Sequence, residues 1–218
     1  MVEIFRQQHS FKYGDQYFTL LKEKCVLWQN TSTLILSDLH FGKTGHFRKS
    51  GIPISSAAAI SDLHKLTTLI TQHQAGRLII TGDMFHSHAN ADFIFFGAWK
   101  KSLPPLEIIL IKGNHDIIDH SMYEQLEVNV YTHSYLESGI YFSHEAKGKG
   151  DCFSFSGHIH PAITIAGKAH QHLKLPCFYI NQTHCLLPAF GNLTGGVSIK
   201  AEKGASIFAI GGDKILSL

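Results

Sequence analysis

The sequence predicts an α/β fold in a single domain, 1–218, with two β-sheets facing each other and helices outside them. Three observations predict it. Short apolar runs bounded by turn residues recur along the chain and read as buried strands. In the first half these runs alternate with segments of helical periodicity, the βαβ pattern of a parallel sheet. From Tyr131 onward, strand-like runs follow one another with no convincing helix between them, which predicts a second, mainly antiparallel sheet. No linker or internal repeat interrupts the 218 residues, a length that suits one well-buried domain.

Leu34, Ile35 and Leu36 form the first of these strands, ending just before Asp38. The helical segment SSAAAISDLHKLTTLITQH follows, with Ser55 or Ser56 as N-cap after Pro53 and Ile60, Leu63, Leu66 and Ile70 along one face. Leu78, Ile79 and Ile80 form the next strand, before Asp83. A second helix, ADFIFFGAWKKS, ends ahead of Pro104 and Pro105, which cannot continue it. Its Phe93, Phe95, Phe96 and Trp99 could stack nucleobases, but their spacing fits a core stripe better. Strands at 108–111, 140–142 and 153–155 lead to Asn114, His144 and His158. AITIAG, PCFYIN, HCLLPAF and ASIFAIGG supply the rest of the second sheet.

Composition excludes several classes. With 44% hydrophobic and 17% charged residues the chain is neither fibrous nor disordered. No apolar run approaches the roughly 20 residues of a membrane span, so no membrane partner is expected. The segment MVEIFRQQHS lacks the charged-then-apolar pattern of a secretory signal, which predicts a cytoplasmic protein. Cys25, Cys152, Cys177 and Cys185 form no C-x-x-C pair, and three lie in apolar runs, as reduced core residues do. A formal charge of +2 leaves a nucleic-acid partner open. The 16 histidines are unusual, and H-x-H occurs three times where chance gives roughly one.

Five strand ends carry residues able to bind metal: Asp38-x-His40, Gly82-Asp83, Gly113-Asn114-His115, His144 and Gly157-His158-x-His160. In an open α/β sheet such ends converge on one crevice. An isolated Asp-x-His at a strand end is usually a turn or a cap, but the whole ordered set has no such simple explanation. Carboxylates supply charge, and one can bridge two cations. Imidazoles and an amide oxygen complete the shells without overcharging them. This mixture is too hard for a thiolate-type metal and too nitrogen-rich for Mg²⁺, which predicts Mn²⁺, with Fe or Zn as alternatives.

The ordered blocks D-x-H, GD, GNH[DE], lone His and GHxH resemble the calcineurin-like metallophosphoesterase superfamily. The stretches SDLHFGKTGHFRKSGIPIS, TGDMFHS, GHIHPA and LLPAFGNLTGG resemble a narrower bacterial branch, the ligase-associated DNA-repair metallophosphoesterases, over residues 33–197. The resemblance implies a four-layer sandwich of two mixed sheets flanked by helices. It implies that Asp38, His40 and His160 hold one divalent metal, that Asn114, His144 and His158 hold the other, and that Asp83 bridges them. His115 matches the position that protonates the leaving oxygen without binding metal. Two such metals can present a bridging hydroxide to a phosphodiester, so no protein nucleophile is required. The branch further implies DNA as substrate and functional association with a DNA ligase and a helicase.

Lys43, His46, Arg48 and Lys49 follow the first metal block and can clamp further phosphates, the alternative being a solvated loop face. Lys147 and Lys149, after His144, can line the same mouth or form a solvated hairpin tip. His86, beside Asp83, reads as a structural loop residue rather than a substrate contact. Two other functions compete with a DNA-directed nuclease: a hydrolase of small nucleotides or pyrophosphates, and a non-catalytic scaffold. The lipid-precursor pyrophosphatases usually show GNRD where this chain has GNHD. A scaffold has no reason to keep all seven ligands and His115.

Overall fold

The structure, a computed structural model, describes residues 8–43, 57–85, 90–146, 152–166 and 172–218. Its first sheet has seven strands in sequence order: β1 (Gln8–Tyr13), β2 (Gln16–Leu21), β3 (Cys25–Trp28), β4 (Thr33–Leu36), β5 (Arg77–Ile80), β6 (Glu107–Ile111) and β7 (Val128–Tyr131). β1 to β4 form an antiparallel meander, and β4 to β7 run parallel. Parallel neighbours need crossovers, supplied by α1 (Ala57–His73), α2 (Asn90–Lys101) and α3 (His120–Gln125).

The central parallel strands are apolar at 34–36, 78–80 and 108–111 because both faces are covered there, whereas the edge strand β7 exposes Asn129 and Tyr131. Leu34, Leu36, Leu78, Ile80, Ile108 and Leu110 pack against the helices with Leu63, Leu66, Phe96 and Tyr123. The residues between them, Ile35, Ile79, Ile109 and Ile111, point the other way and join Phe142, Phe155 and Phe178 of the second sheet. This period-2 division puts one apolar set against helix and the other against sheet. The expected helix face is present at Leu63, Leu66 and Ile70. Leu69 is buried with them, while Ile60 remains 38% exposed one turn earlier. On α2, Phe96 is fully buried and Phe93 and Trp99 pack against the core, as a core stripe requires.

The second sheet contains β8 (Ser134–Glu137), β9 (Ile140–Ser143), β10 (Phe153–Ser156), β11 (Pro161–Ala166), β12 (His172–Ile180), β13 (His184–Leu186), β14 (Val197–Ser198), β15 (Ser206–Gly211) and β16 (Lys214–Ser217). Its path is β14-β11-β12-β13-β10-β9-β8, with β15 added to β12 and β16 to β15. Most pairings are antiparallel, but β10 lies parallel to both β9 and β13. These parallel strands aim the ends of β9 and β10 at one edge, which the expectation of a mainly antiparallel sheet did not include. The sheets therefore face each other as expected for the sandwich, and the described helices pack on the outer face of the first. On the second sheet, Cys177, Tyr179, Leu186, Ile207 and Ala209 form an outer cluster covered in part by Ile163, Leu175 and Leu216.

Cys25, Cys177 and Cys185 are buried and Cys152 is half-buried, all as free thiols. Burial pushes the thiol of Cys177 up to about 12, which keeps it protonated and unreactive.

Ile79 is fully buried between the sheets, with no room to relax without disturbing both. Ile79→Ala should therefore lower unfolding free energy by about 2–5 kcal/mol. Chemical denaturation measures this, and a loss below about 1 kcal/mol would contradict the assignment of this layer as the close-packed core.

Candidate metal centre

The metal-capable residues sit on the loops leaving β4, β5, β6, β9 and β10, so one edge of the sandwich gathers them all. A parallel bridge between Ser37 and Ala189 joins the two sheets at this edge. The backbone there is unusual. Asp38, His40, Asp83, His158 and His160 all have positive φ, at 53°, 46°, 53°, 66° and 52°. That left-handed region is uncommon for residues other than glycine. It persists because the loops are tied together: Asp38 N donates to Gly82 O at 3.0 Å, His40 N to Asp83 O at 2.9 Å and Gly157 N to His144 O at 3.1 Å. Glycine is required where loops pass closest. A Cβ on Gly113 would collide with the Asp83 carboxylate, and one on Gly157 with Ser37 Oγ and the Asp38 carboxylate.

Each carboxylate is held by one oxygen and turns the other towards the imidazoles. Asp38 Oδ2 accepts from Ser37 Oγ at 2.6 Å and His158 N at 3.1 Å. Its Oδ1 faces His160 Nε2 at 2.9 Å and His40 Nε2 at 3.9 Å. Asp83 Oδ1 accepts from His115 N at 2.9 Å, while Oδ2 lies 3.8 Å from His40 Nε2 and 3.6 Å from His144 Nε2.

The imidazoles are oriented from behind, as metal-binding histidines are. His144 Nδ1 donates to Thr81 O at 2.9 Å and His160 Nδ1 to Gly195 O at 3.2 Å, which leaves each Nε2 as a lone pair directed inward. His144 Nε2 then stands 3.1 Å from Asn114 Oδ1, acceptor against acceptor, and 3.0 Å from His158 Nδ1. Asp38 Oδ1 and His160 Nε2 are buried, yet neither makes a hydrogen bond among the described residues. Lone pairs gathered out of water repel one another unless a cation lies between them. Two groups have ligand atoms all within 4.8 Å of one another: Asp38, His40 and His160, and Asp38, Asp83 and His144. The donor set therefore fits divalent cations. Asn114 and His158 extend the second group on its exposed side.

His115 is half-buried beside this set, its ring edge-on to His40 with centroids 5.3 Å apart. Lys43 is half-buried nearby. Burial lowers its pKa, against the upward pull of Asp38 and Asp83. His46, Arg48 and Lys49, like His86, Lys147 and Lys149, lie outside the described residues. Phe95 is 45% exposed and stacks on Phe41, directly after His40. A cavity of about 650 Å³ near Gly76, Glu107 and Glu127 is at the amino ends of the parallel strands, away from this chemistry.

Two supports were not legible as such. Asp116, next to His115, does not orient that ring through any described contact. Instead its buried carboxylate accepts from Asp83 N at 2.7 Å, Gly113 N at 2.9 Å, Met84 N at 3.0 Å, Phe85 N at 3.2 Å and Tyr123 Oη at 3.2 Å. It thus fixes the β5 and β6 loops to each other. Burial nonetheless pushes its pKa up. The GNLTGG stretch is the second support. Phe190 N donates to Ser37 O and Gly191 N to Asp38 O, and Gly195 O orients His160. The stretch is anchored by Asp62, which accepts from Asn192 N at 3.0 Å, and by Lys65 Nζ, which donates to Phe190 O at 3.0 Å. The signal for both was the sequence neighbourhood of the metal blocks.

Asp116→Ala would leave four backbone donors without an acceptor. It should cost about 3 kcal/mol or more of stability, with Asp116→Asn recovering part because it keeps one carbonyl. Denaturation in the presence of a chelator measures the first effect, and metal content the accompanying loss of binding. Full stability and full metal loading in Asp116→Ala would contradict the anchoring role. The calcineurin-like phosphoesterase family model matches residues 31–183, well over half of the chain and including all five metal blocks. No curated protein matches the sequence. Among solved structures the chain is similar to the nuclease MPE of Pseudomonas putida, with a TM-score of 0.82 and 28% identity over 97% of this chain and 100% of that one. The chain belongs to the calcineurin-like phosphoesterase family and is a metal-dependent phosphoric ester hydrolase.

Proposed function

We propose that this phosphoesterase is a DNA-directed nuclease that works in DNA repair in the cytoplasm, alongside a DNA ligase and a helicase. One observation carries the catalytic part: inward-facing lone pairs of buried carboxylates and oriented imidazoles converge from five loops. Asp38, His40 and His160 would hold one cation and Asn114, His144 and His158 the other, with Asp83 between them. Such a pair supplies charge for the phosphate oxygens and acidity for an attacking water. The likeness to a nuclease over nearly the whole of both chains supports DNA as substrate.

The residues of the chain divide the remaining work. The backbone of His115 is fixed by Asp83, and its ring stands beside His40, so it can protonate the departing oxygen. Lys43 lies close enough to both carboxylates to feel their charge and can meet a phosphate arriving between them. Asn114 and His158 are exposed whereas Asp38 and His40 are buried, so the strand approaches from the second-cation side.

Single-stranded DNA, duplex DNA, cyclic nucleotides and an aryl phosphodiester should be compared on one metal-loaded preparation, in wild type and His115→Ala. Cleavage of DNA is expected. The variant should keep both metals but lose about 10²- to 10⁴-fold in kcat on DNA and much less on the aryl ester, whose phenolate leaves without a proton. Activity confined to cyclic nucleotides would overturn the DNA reading, and equal losses on both esters or loss of a metal would overturn the role of His115.

The mixed donor set favours Mn²⁺ as working metal, with Fe or Zn as lesser candidates. After stripping, Mn²⁺ should restore activity well beyond Mg²⁺. Full recovery with Mg²⁺ alone would refute this preference.

A further inference from the structure

Beside His160, a cavity of about 170 Å³ is lined by Lys24, Lys174, Thr194, Gly195 and Gly196. Among the described residues no carboxylate lines it. Its charged side chains are both ammonium donors, Lys24 and Lys174. Lys174 Nζ donates to Gly196 O, which leaves two further N–H groups. Lys24 is half-buried, and the nearby Asp62 carboxylate pairs with Lys65 instead, at 3.4 Å. Burial and the charge of Lys65 lower the pKa of Lys24, against the upward pull of Asp62.

The geometry points to a second phosphate subsite: Lys24 and Lys174 bind a phosphate group of the substrate next to the one engaged at the metal centre. The cavity and the centre share His160 as a wall, so a single strand can lie across both. Two ammonium groups around a small space suit the compact, multiply accepting phosphate better than a nucleobase, because among the described residues no Phe, Tyr or Trp lines the cavity for stacking. Glycine at 196 lets this wall pack against Ala162 and His160 O, where a Cβ would stand at 2.8 and 2.9 Å. The subsite rests on the reading of the centre as a phosphate-binding site, and it would select substrates carrying more than one phosphate.

Calorimetric titration of the Mn²⁺-loaded protein with thymidine 5′-monophosphate and thymidine 3′,5′-bisphosphate tests it, because the two ligands differ by one phosphate. Wild type should bind the bisphosphate about ten-fold more tightly or better, the return expected for a charge-assisted hydrogen bond to phosphate. Lys24→Gln and Lys174→Gln should each shrink that ratio several-fold while bound metal stays at the wild-type level. Each substitution should also reduce the slope of log affinity against log salt for a thymidine oligonucleotide by about 0.7. Equal affinity for the two nucleotides in wild type overturns the subsite, as does a ratio that survives both substitutions. Loss of metal in the variants would assign the lysines to holding the loop behind His160, and would overturn it too. A wild-type ratio that collapses in the variants, in a protein that cuts no DNA, would support the subsite and sink the DNA reading alone.

Discussion

Asp38 and Asp83 are both excluded from water, with carboxylate oxygens within 4.8 Å of each other. At an effective dielectric of about 20, two unit charges at that separation repel by roughly 3–4 kcal/mol. Neutralising them by protonation is opposed at Asp38, where Ser37 Oγ and His158 N both donate to the anion. The protein instead surrounds the pair with hydrogen-bond donors on one side and nitrogen lone pairs on the other, an arrangement that becomes favourable when cations occupy the middle. The loop ties, the anchoring of Asp116 and the orientation of His144 and His160 all serve that requirement.

The architecture follows from the need to bring five loops to one edge. Parallel strands send their carboxyl ends in one direction, which accounts for β4, β5 and β6. The second sheet meets the same need by placing β9 and β10 parallel within a mostly antiparallel framework. The Ser37–Ala189 bridge then joins the two edges, and the GNLTGG stretch binds the β4 loop to the loop after β10. The centre thus lies at the seam of two sheets rather than inside either.

Much of this was legible in the sequence because each site-bearing strand is a short apolar run that ends in a residue of distinctive chemistry. Leu34-Ile35-Leu36 before Asp38 and Phe153 to Phe155 before His158 are examples. The parallel setting of β9 and β10 was not legible, since pairing between strands distant in sequence leaves no local pattern. The role of Asp116 was hidden for a similar reason: its five donors come from the loops after β5 and β6 and from α3, and no single stretch displays them. The strands β1 to β3 carry no chemistry and escaped notice, although Phe18 and Trp28 are among the largest fully buried side chains.

The left-handed backbone at the metal-capable residues narrows what can replace them. Asn, Asp and His are the side chains that tolerate positive φ best after glycine. They are also hard or borderline donors suited to divalent first-row ions. Exchange of Asp38 or His160 for cysteine would introduce a softer donor at a φ near 50° that its side chain seldom adopts. The conformation of the chain therefore restricts the available set of donors, and attempts to convert this centre to a thiolate-preferring metal would have to rebuild the loops before changing the ligands.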